Sequence, residues 1–219
     1  MEVKEISKII GVLQKETAQF SLPSVSQIAL PENERPFRVL ISCILSLRTK
    51  DEVTFPASER LFARAKNMRE MAKLAPKEIE RIIYPVGFYR NKAKQIPEIC
   101  RRLMAEFGGK VPDEIDELLK LKGVGRKTAN LVRTLGYGKP GICVDTHVHR
   151  ISNRFGLVKT KEPNATEFRL REILPERYWI DYNDLLVTWG QNVCKPISPL
   201  CSRCAIEKFC PRVGVGKSR

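Results

Sequence analysis

"LLKLKGVGRKTANLV", residues 118–132, has the grammar of a helix, a tight glycine turn and a second helix. Gly123 and Gly125 permit positive φ and the close approach of another backbone. The turn's N–H groups and the first turn of the following helix form a site suited to a phosphate. A plain helical corner without ligand has the same grammar, so the hairpin alone leaves both readings open. Lys127 sits in the first turn of the second helix, at the positive end of the helix dipole. A cation is disfavoured there by roughly 0.3–1 kcal/mol, and the sequence must give a reason for placing one.

Helical period extends outward from this stretch in both directions, and strand-like alternation is nearly absent. "RPFRVLISCILSLR" (35–48) is apolar nearly all round, the pattern of a buried central helix. "NMREMAKLA" (67–75) opens with an Asn-x-x-Glu capping box, and "PKEIERIIYPVG" (76–87) has Pro at its start and Gly at its end. "NKAKQIPEICRRLMAEFGG" (91–109) reads as a helix that Pro97 should kink or restart. Further helices are expected in 112–121, 126–136, 146–156, 164–174 and 182–194. At the start of the chain, Ile6, Ile9, Ile10 and Leu13 repeat at helical spacing. With about ten short helices the expected fold class is all-α. "GYGKPG" (136–141) breaks the helical period and is the best internal boundary.

Lys and Arg number 39 against 25 Asp and Glu, a formal charge of +14, which favours a polyanionic partner through counterion release. The best apolar run, "VLISCILSL" (39–47), is under half the roughly 20 residues of a membrane span. Both charge signs run through the first residues, unlike a signal peptide. The expected location is cytoplasmic and nucleoid-associated, or nuclear in a eukaryote, where cysteines favour metal or core over disulfides.

Cys194, Cys201, Cys204 and Cys210 follow a C-x6-C-x2-C-x5-C spacing. Such crowding argues for a metal centre. Zinc ribbons use two distant C-x2-C knuckles, whereas a single compact wrap suits a [4Fe–4S] cluster better. Cys43, Cys100 and Cys143 lie on apolar stretches and read as buried, inert thiols. Lys195, Arg203 and Lys208, interleaved in the quartet, can offset thiolate charge or face phosphates. The final "VGVGKSR" mimics a phosphate-binding loop, but Pro211 stands at the required glycine and no helix can follow, so it reads as a frayed end. In "GICVDTHVHR", Asp145 stands where a helix N-cap belongs, while His147 and His149 diverge on that helix and make a poor metal pair.

The hairpin "LKGVGRKTAN", the "VDTHVHR" segment and the cysteine ending together resemble the endonuclease III family, the iron–sulfur branch of the helix–hairpin–helix DNA glycosylases. The resemblance runs from about Phe37 to Cys210. It implies two helical lobes with a DNA groove between them: a central domain over 23–136 and a cluster domain combining 1–22 with 137–219. The activity it implies is a DNA N-glycosylase and DNA-(apurinic or apyrimidinic site) lyase for oxidised or ring-saturated pyrimidines, acting as a monomer on damaged double-stranded DNA. Lys127 would be the nucleophile at C1′, Asp145 the assisting carboxylate, and β-elimination from the imine would cut the strand 3′ to the lesion. Lys122, Gly123, Val124, Gly125 and Arg126 would contact DNA through the hairpin. The "SLRTKD" and "VGFYRNKA" loops would fill the space left by the extruded base with Arg48 and Phe88, although Phe88 taken alone also reads as core. Arg48 replaces a glutamine, and Lys122 a proline, common in bacterial members.

An amine attacks only when neutral, so a lysine near its ordinary pKa is nearly inert at pH 7. Helix-dipole positivity, Arg126 and partial desolvation would each favour the neutral amine, which answers why Lys127 stands where it does. Two other readings accompany this one: an adenine or mismatched-thymine glycosylase of the same superfamily, and a non-catalytic DNA-binding module.

Overall fold

The computed structural model describes residues 3–29 and 34–219; the first two residues of the N-terminal stretch read above lie outside them. The described residues are all helix, turn and loop, with no strand. The chain divides into two compact units, residues 1–23 with 140–219, and residues 24–139. The boundary falls inside "GYGKPG".

In the first unit, α1 (Val3–Thr17) buries Ile6, Ile9, Ile10 and Leu13, the stripe its helical spacing marks. The second unit follows with α2 (Ser24–Ile28), α3 (Arg35–Ser46) and α4 (Asp51–Arg64). Next come α5 (Met68–Lys73), α6 (Pro76–Ile83), α7 (Tyr89–Glu106), α8 (Ile115–Leu119) and α9 (Arg126–Leu131), which a π-helical turn extends to Gly136. α3 is the hub of this unit: it packs against α2, α4, α7, α9 and the π turn. Val39, Leu40, Ile41, Ile44 and Leu45 are fully enclosed, so an all-round apolar surface has an all-round partner.

Asn67 caps α5 by accepting the Glu70 N–H at 3.0 Å, and the Glu70 carboxylate returns to the Lys66 N–H at 2.9 Å. Pro97 neither ends nor restarts α7, which runs through it from Tyr89 to Glu106. α4 likewise carries Pro56 internally.

The first unit resumes with α10 (Thr146–Arg154), α11 (Pro163–Ile173) and α12 (Tyr182–Asn192). Their apolar faces join α1 around Val148, Ile151, Leu170, Leu186 and Trp189. Gly190 lets α12 approach α10 closely, since a Cβ there would stand 2.3 Å from His147 Nδ1. The C-terminal end is not frayed as its composition predicts. Val213 N–H donates to Arg154 O at 3.2 Å, and the Arg219 and Ser202 amides pair with Pro199 O and Arg219 O at 2.8 and 3.0 Å. Backbone pairing holds a segment that has little apolar surface to bury.

Candidate functional site

The glycine turn between α8 and α9 is fastened to α7. Gln95 Nε2 donates to Lys122 O at 2.7 Å, and Gly123, at φ +79°, lies under the same amide, where a Cβ would come within 2.1 Å of it. Val124 turns into the core and its N–H donates to Leu121 O at 3.0 Å. Gly125 is the N-cap of α9, and its carbonyl accepts the Ala129 N–H at 2.9 Å. Lys122 and Gly125 are exposed, while Arg126 and Lys127 are half-buried in the first turn of α9. Lys127 lies near enough to the Cys43 thiol of α3 to oppose its shift: burial pushes Cys43 up to about 12, and the lysine charge pulls it down.

Asp145 is the N-cap of α10. Its Oδ1 accepts the His147 and Val148 N–H groups, each at 2.8 Å, and its charge acts on the nearby Arg150 guanidinium. The segment before it is pinned by Asn183 Nδ2, which donates to Cys143 O at 3.2 Å. His147 and His149 engage different partners, Arg150 and Thr166.

Arg48 and Phe88 come together on two loops of the second unit. Both are exposed, so Phe88 is not a core residue. Lys92, on α7 just behind these loops, has no counterpart in the sequence reading. It is 4% exposed and burial pulls its amine down to about 8. A perturbed lysine is a nucleophile candidate by titration alone. Its ammonium is instead bonded to the oxygens of Leu45, Leu47 and Thr49, which leaves it unsuited to attack. "NKAK" gives no sign of this, because lysines two apart on a helix read as solvated surface.

The four cysteines Cys194, Cys201, Cys204 and Cys210 line one small pocket, together with Trp189, Arg154 and Arg212. Arg154 donates to Cys194 Sγ at 3.4 Å and to the carbonyls of Lys195 and Pro196 at 2.7 Å, which ties the loop to α10. Burial pushes Cys204 up to about 11, with the three other thiols adding to it, and the Ile206 N–H bonded to it opposes. Cys210 is raised for the same first reason. Four thiols so arranged need a strong positive charge to ionise together.

Among the described residues no three His, Cys, Asp or Glu side chains converge on a single-ion site. An all-sulfur donor set, amide and guanidinium donors on the sulfurs, and a buried Trp189 indole N–H without a partner in the same lining all fit an iron–sulfur cluster. Lys195 is half-buried in this loop, and Arg203 and Lys208 are exposed on it. No helix among the described residues is long and apolar enough to cross a membrane.

Residues 41–176 match the family of HhH-GPD superfamily base excision DNA repair proteins. Endonuclease III of Thermotoga maritima is 49% identical over 195 residues, covering 86% of this chain and 92% of its own. The chloroplastic endonuclease III homolog 1 of Arabidopsis thaliana is 41% identical over 83% of this chain, which spans 50% of that longer relative. A solved structure of a trapped endonuclease III–DNA covalent intermediate matches with a TM-score of 0.84 at 32% identity, covering 97% of each chain. The chain belongs to the HhH-GPD superfamily of base excision DNA repair proteins and, within it, to the endonuclease III family of DNA glycosylases and AP lyases.

Proposed function

We propose that this enzyme removes oxidised or ring-saturated pyrimidines from double-stranded DNA through Lys127 and cleaves the resulting abasic site. Neutral Lys127 Nζ attacks C1′ of the damaged nucleotide, and the glycosidic bond breaks with its electron pair leaving on the base. One amine proton is matched by the proton the departing base takes up; the C1′–O4′ bond then breaks with its electron pair on O4′, which takes the second amine proton, leaving an imine between Nζ and C1′. Loss of a C2′ proton expels the 3′ phosphate by β-elimination, and water then hydrolyses the imine to free Lys127. The observation that carries this reading is the place of Lys127, half-buried in the first turn of α9 directly after the glycine turn. The positive end of a helix favours the neutral amine over the ammonium there.

Asp145 accepts a proton and stabilises positive charge developing on the sugar. The two N–H bonds that Oδ1 accepts support this role, because they hold the carboxylate in one orientation at the start of α10. The hairpin residues Lys122 to Arg126 hold a DNA phosphate, and Lys195 and Arg203 meet the backbone further along. Arg48 and Phe88 occupy the gap left by the extruded nucleotide, whose unstacking costs a few kcal/mol. Cys194, Cys201, Cys204 and Cys210 hold a [4Fe–4S] cluster, which when bound supplies rigidity to the loop that carries Lys195 and Arg203. The protein acts as a monomer, in the cytoplasm or nucleus where its DNA is.

Borohydride trapping tests the proposal. With a thymine-glycol duplex the protein forms a covalent adduct and Lys127→Ala forms none. An adduct of equal yield from Lys127→Ala would remove the lysine from its role.

A further inference from the structure

The loop carrying Arg48 and the loop carrying Phe88 are joined through one buried ammonium and one hydroxyl. Lys92 Nζ donates to Leu45 O at 2.8 Å, to Leu47 O at 2.6 Å and to Thr49 Oγ1 at 3.3 Å. The first two carbonyls belong to the end of α3, where the helix leaves its acceptors unpaired and its dipole is negative. The Thr49 hydroxyl is fully used: it donates to Leu47 O at 3.2 Å and accepts both from Lys92 and from the Gly87 N–H, the latter at 3.1 Å. Gly87 precedes Phe88 in the other loop. Thr49 therefore ties the two loops together, and Lys92 holds Thr49.

The joint is close at the backbone as well, since a Cβ on Gly87 would stand 2.4 Å from Arg48 O. On either side of it Arg48 and Phe88 take left-handed φ of +52° and +56°, a region that residues with a Cβ adopt only where their surroundings impose it. Exposed side chains do not impose it, because the Phe88 ring is 58% exposed. Neither do the glycines, which only make room. Backbone bonds such as Thr49 N–H to Ser46 O at 3.0 Å and Lys92 N–H to Phe88 O at 3.1 Å hold each loop by itself, and the Lys92 and Thr49 side-chain bonds join one loop to the other.

We propose that Lys92 is a positioning residue for lesion extrusion: through Thr49 it locks the Arg48 and Phe88 loops in the one arrangement in which both side chains enter the helix together. The proposal rests on the reading of Arg48 and Phe88 as the residues that fill the vacated space. A lysine that merely capped α3 would stabilise the fold and leave extrusion untouched, so the two roles differ in what they predict.

The test uses the cluster-loaded protein and four variants, Lys92→Met, Thr49→Val, Thr49→Ser and Phe88→Ala. Three readouts are taken: single-turnover excision of thymine glycol from duplex, fluorescence of a 2-aminopurine placed beside the lesion, and cleavage of a single-stranded abasic oligonucleotide, which needs no extrusion. Lys92→Met and Thr49→Val lower duplex excision by roughly tenfold to a hundredfold, the scale of a misplacement near 1 Å. They also lose the 2-aminopurine signal and keep single-strand cleavage within about twofold of wild type. Thr49→Ser, which keeps the hydroxyl, behaves as wild type. If Phe88→Ala is impaired while Lys92→Met and Thr49→Val excise normally, the proposal is wrong and the reading of Phe88 stands. If Phe88→Ala also excises normally, the reading beneath the proposal is wrong. A fall in single-strand cleavage equal to that on duplex overturns the proposal too, because the defect would then lie in chemistry or folding.

Discussion

The Arg48 guanidinium carbon lies 5.5 Å from the centroid of the Phe88 ring, and both residues hold left-handed backbone on loops whose main chains touch at Gly87. A cation over an aromatic face gains about 0.5–1 kcal/mol at an exposed site. The pair is thus a modest contact resting on a tight joint.

Gly87→Ala should break that joint. Its Cβ would press on the Arg48 carbonyl, and backbone against backbone has little room to yield. We expect a loss of about 1–3 kcal/mol in chemical denaturation, the usual scale for overpacking, together with weaker excision from duplex. A variant as stable and active as wild type would mean that the loops are looser than described.

Asp145 has two separable duties. Asn caps a helix about as well as Asp, so Asp145→Asn should keep the unfolding midpoint while base release falls by roughly 10²–10⁴. Asp145→Ala should lose the cap as well, at a cost of about 1 kcal/mol. Base release at the wild-type rate from Asp145→Asn would contradict the proposed role.

Lys92 gives a pH signature in stability. Burial pulls its amine from the usual 10.5 down to about 8. Below pH 8 the amine is charged in the folded and the unfolded chain, and the burial penalty weighs on the folded state. Between about 8 and 10.5 the unfolded chain binds a proton that the folded chain has released, so stability rises with pH through that window. Lys92→Met lacks the effect. In urea titrations wild type should gain on the variant between pH 8 and 10.5, by on the order of 1 kcal/mol after solvent screening. A constant difference across the window would mean that the ammonium is not desolvated.

The cysteine loop, Cys194 to Cys210, holds only two short 3-10 turns of regular structure. Cys204→Ala should therefore lose both the brown colour of the cluster and the order of this loop, lowering the thermal midpoint. Colourless wild-type protein with one zinc per chain would refute the cluster reading.

Much of the helical order was legible because single patterns carried it. The Ile6, Ile9, Ile10 and Leu13 stripe marks α1, and Asn67 with Glu70 marks the start of α5. Pro97 suggested a restart that does not occur: a proline removes one hydrogen bond, and α7 runs on across the gap, as α4 does at Pro56. The exposure of Phe88 could not be read, because an aromatic in a turn suits core and surface alike until the backbone direction is known. Lys92 was hidden more deeply. Its partners are carbonyls and one hydroxyl over forty residues away in sequence, and backbone oxygens leave no trace in composition. The tail "VGVGKSR" was hidden in the same way, since amides anchor it.

Mapping the trapped cross-link tests the central claim most directly. After borohydride reduction of the complex with thymine-glycol duplex, proteolysis and mass spectrometry should find the sugar remnant on the peptide bearing Lys127. A remnant on Lys92, Lys122 or any other side chain would contradict the account.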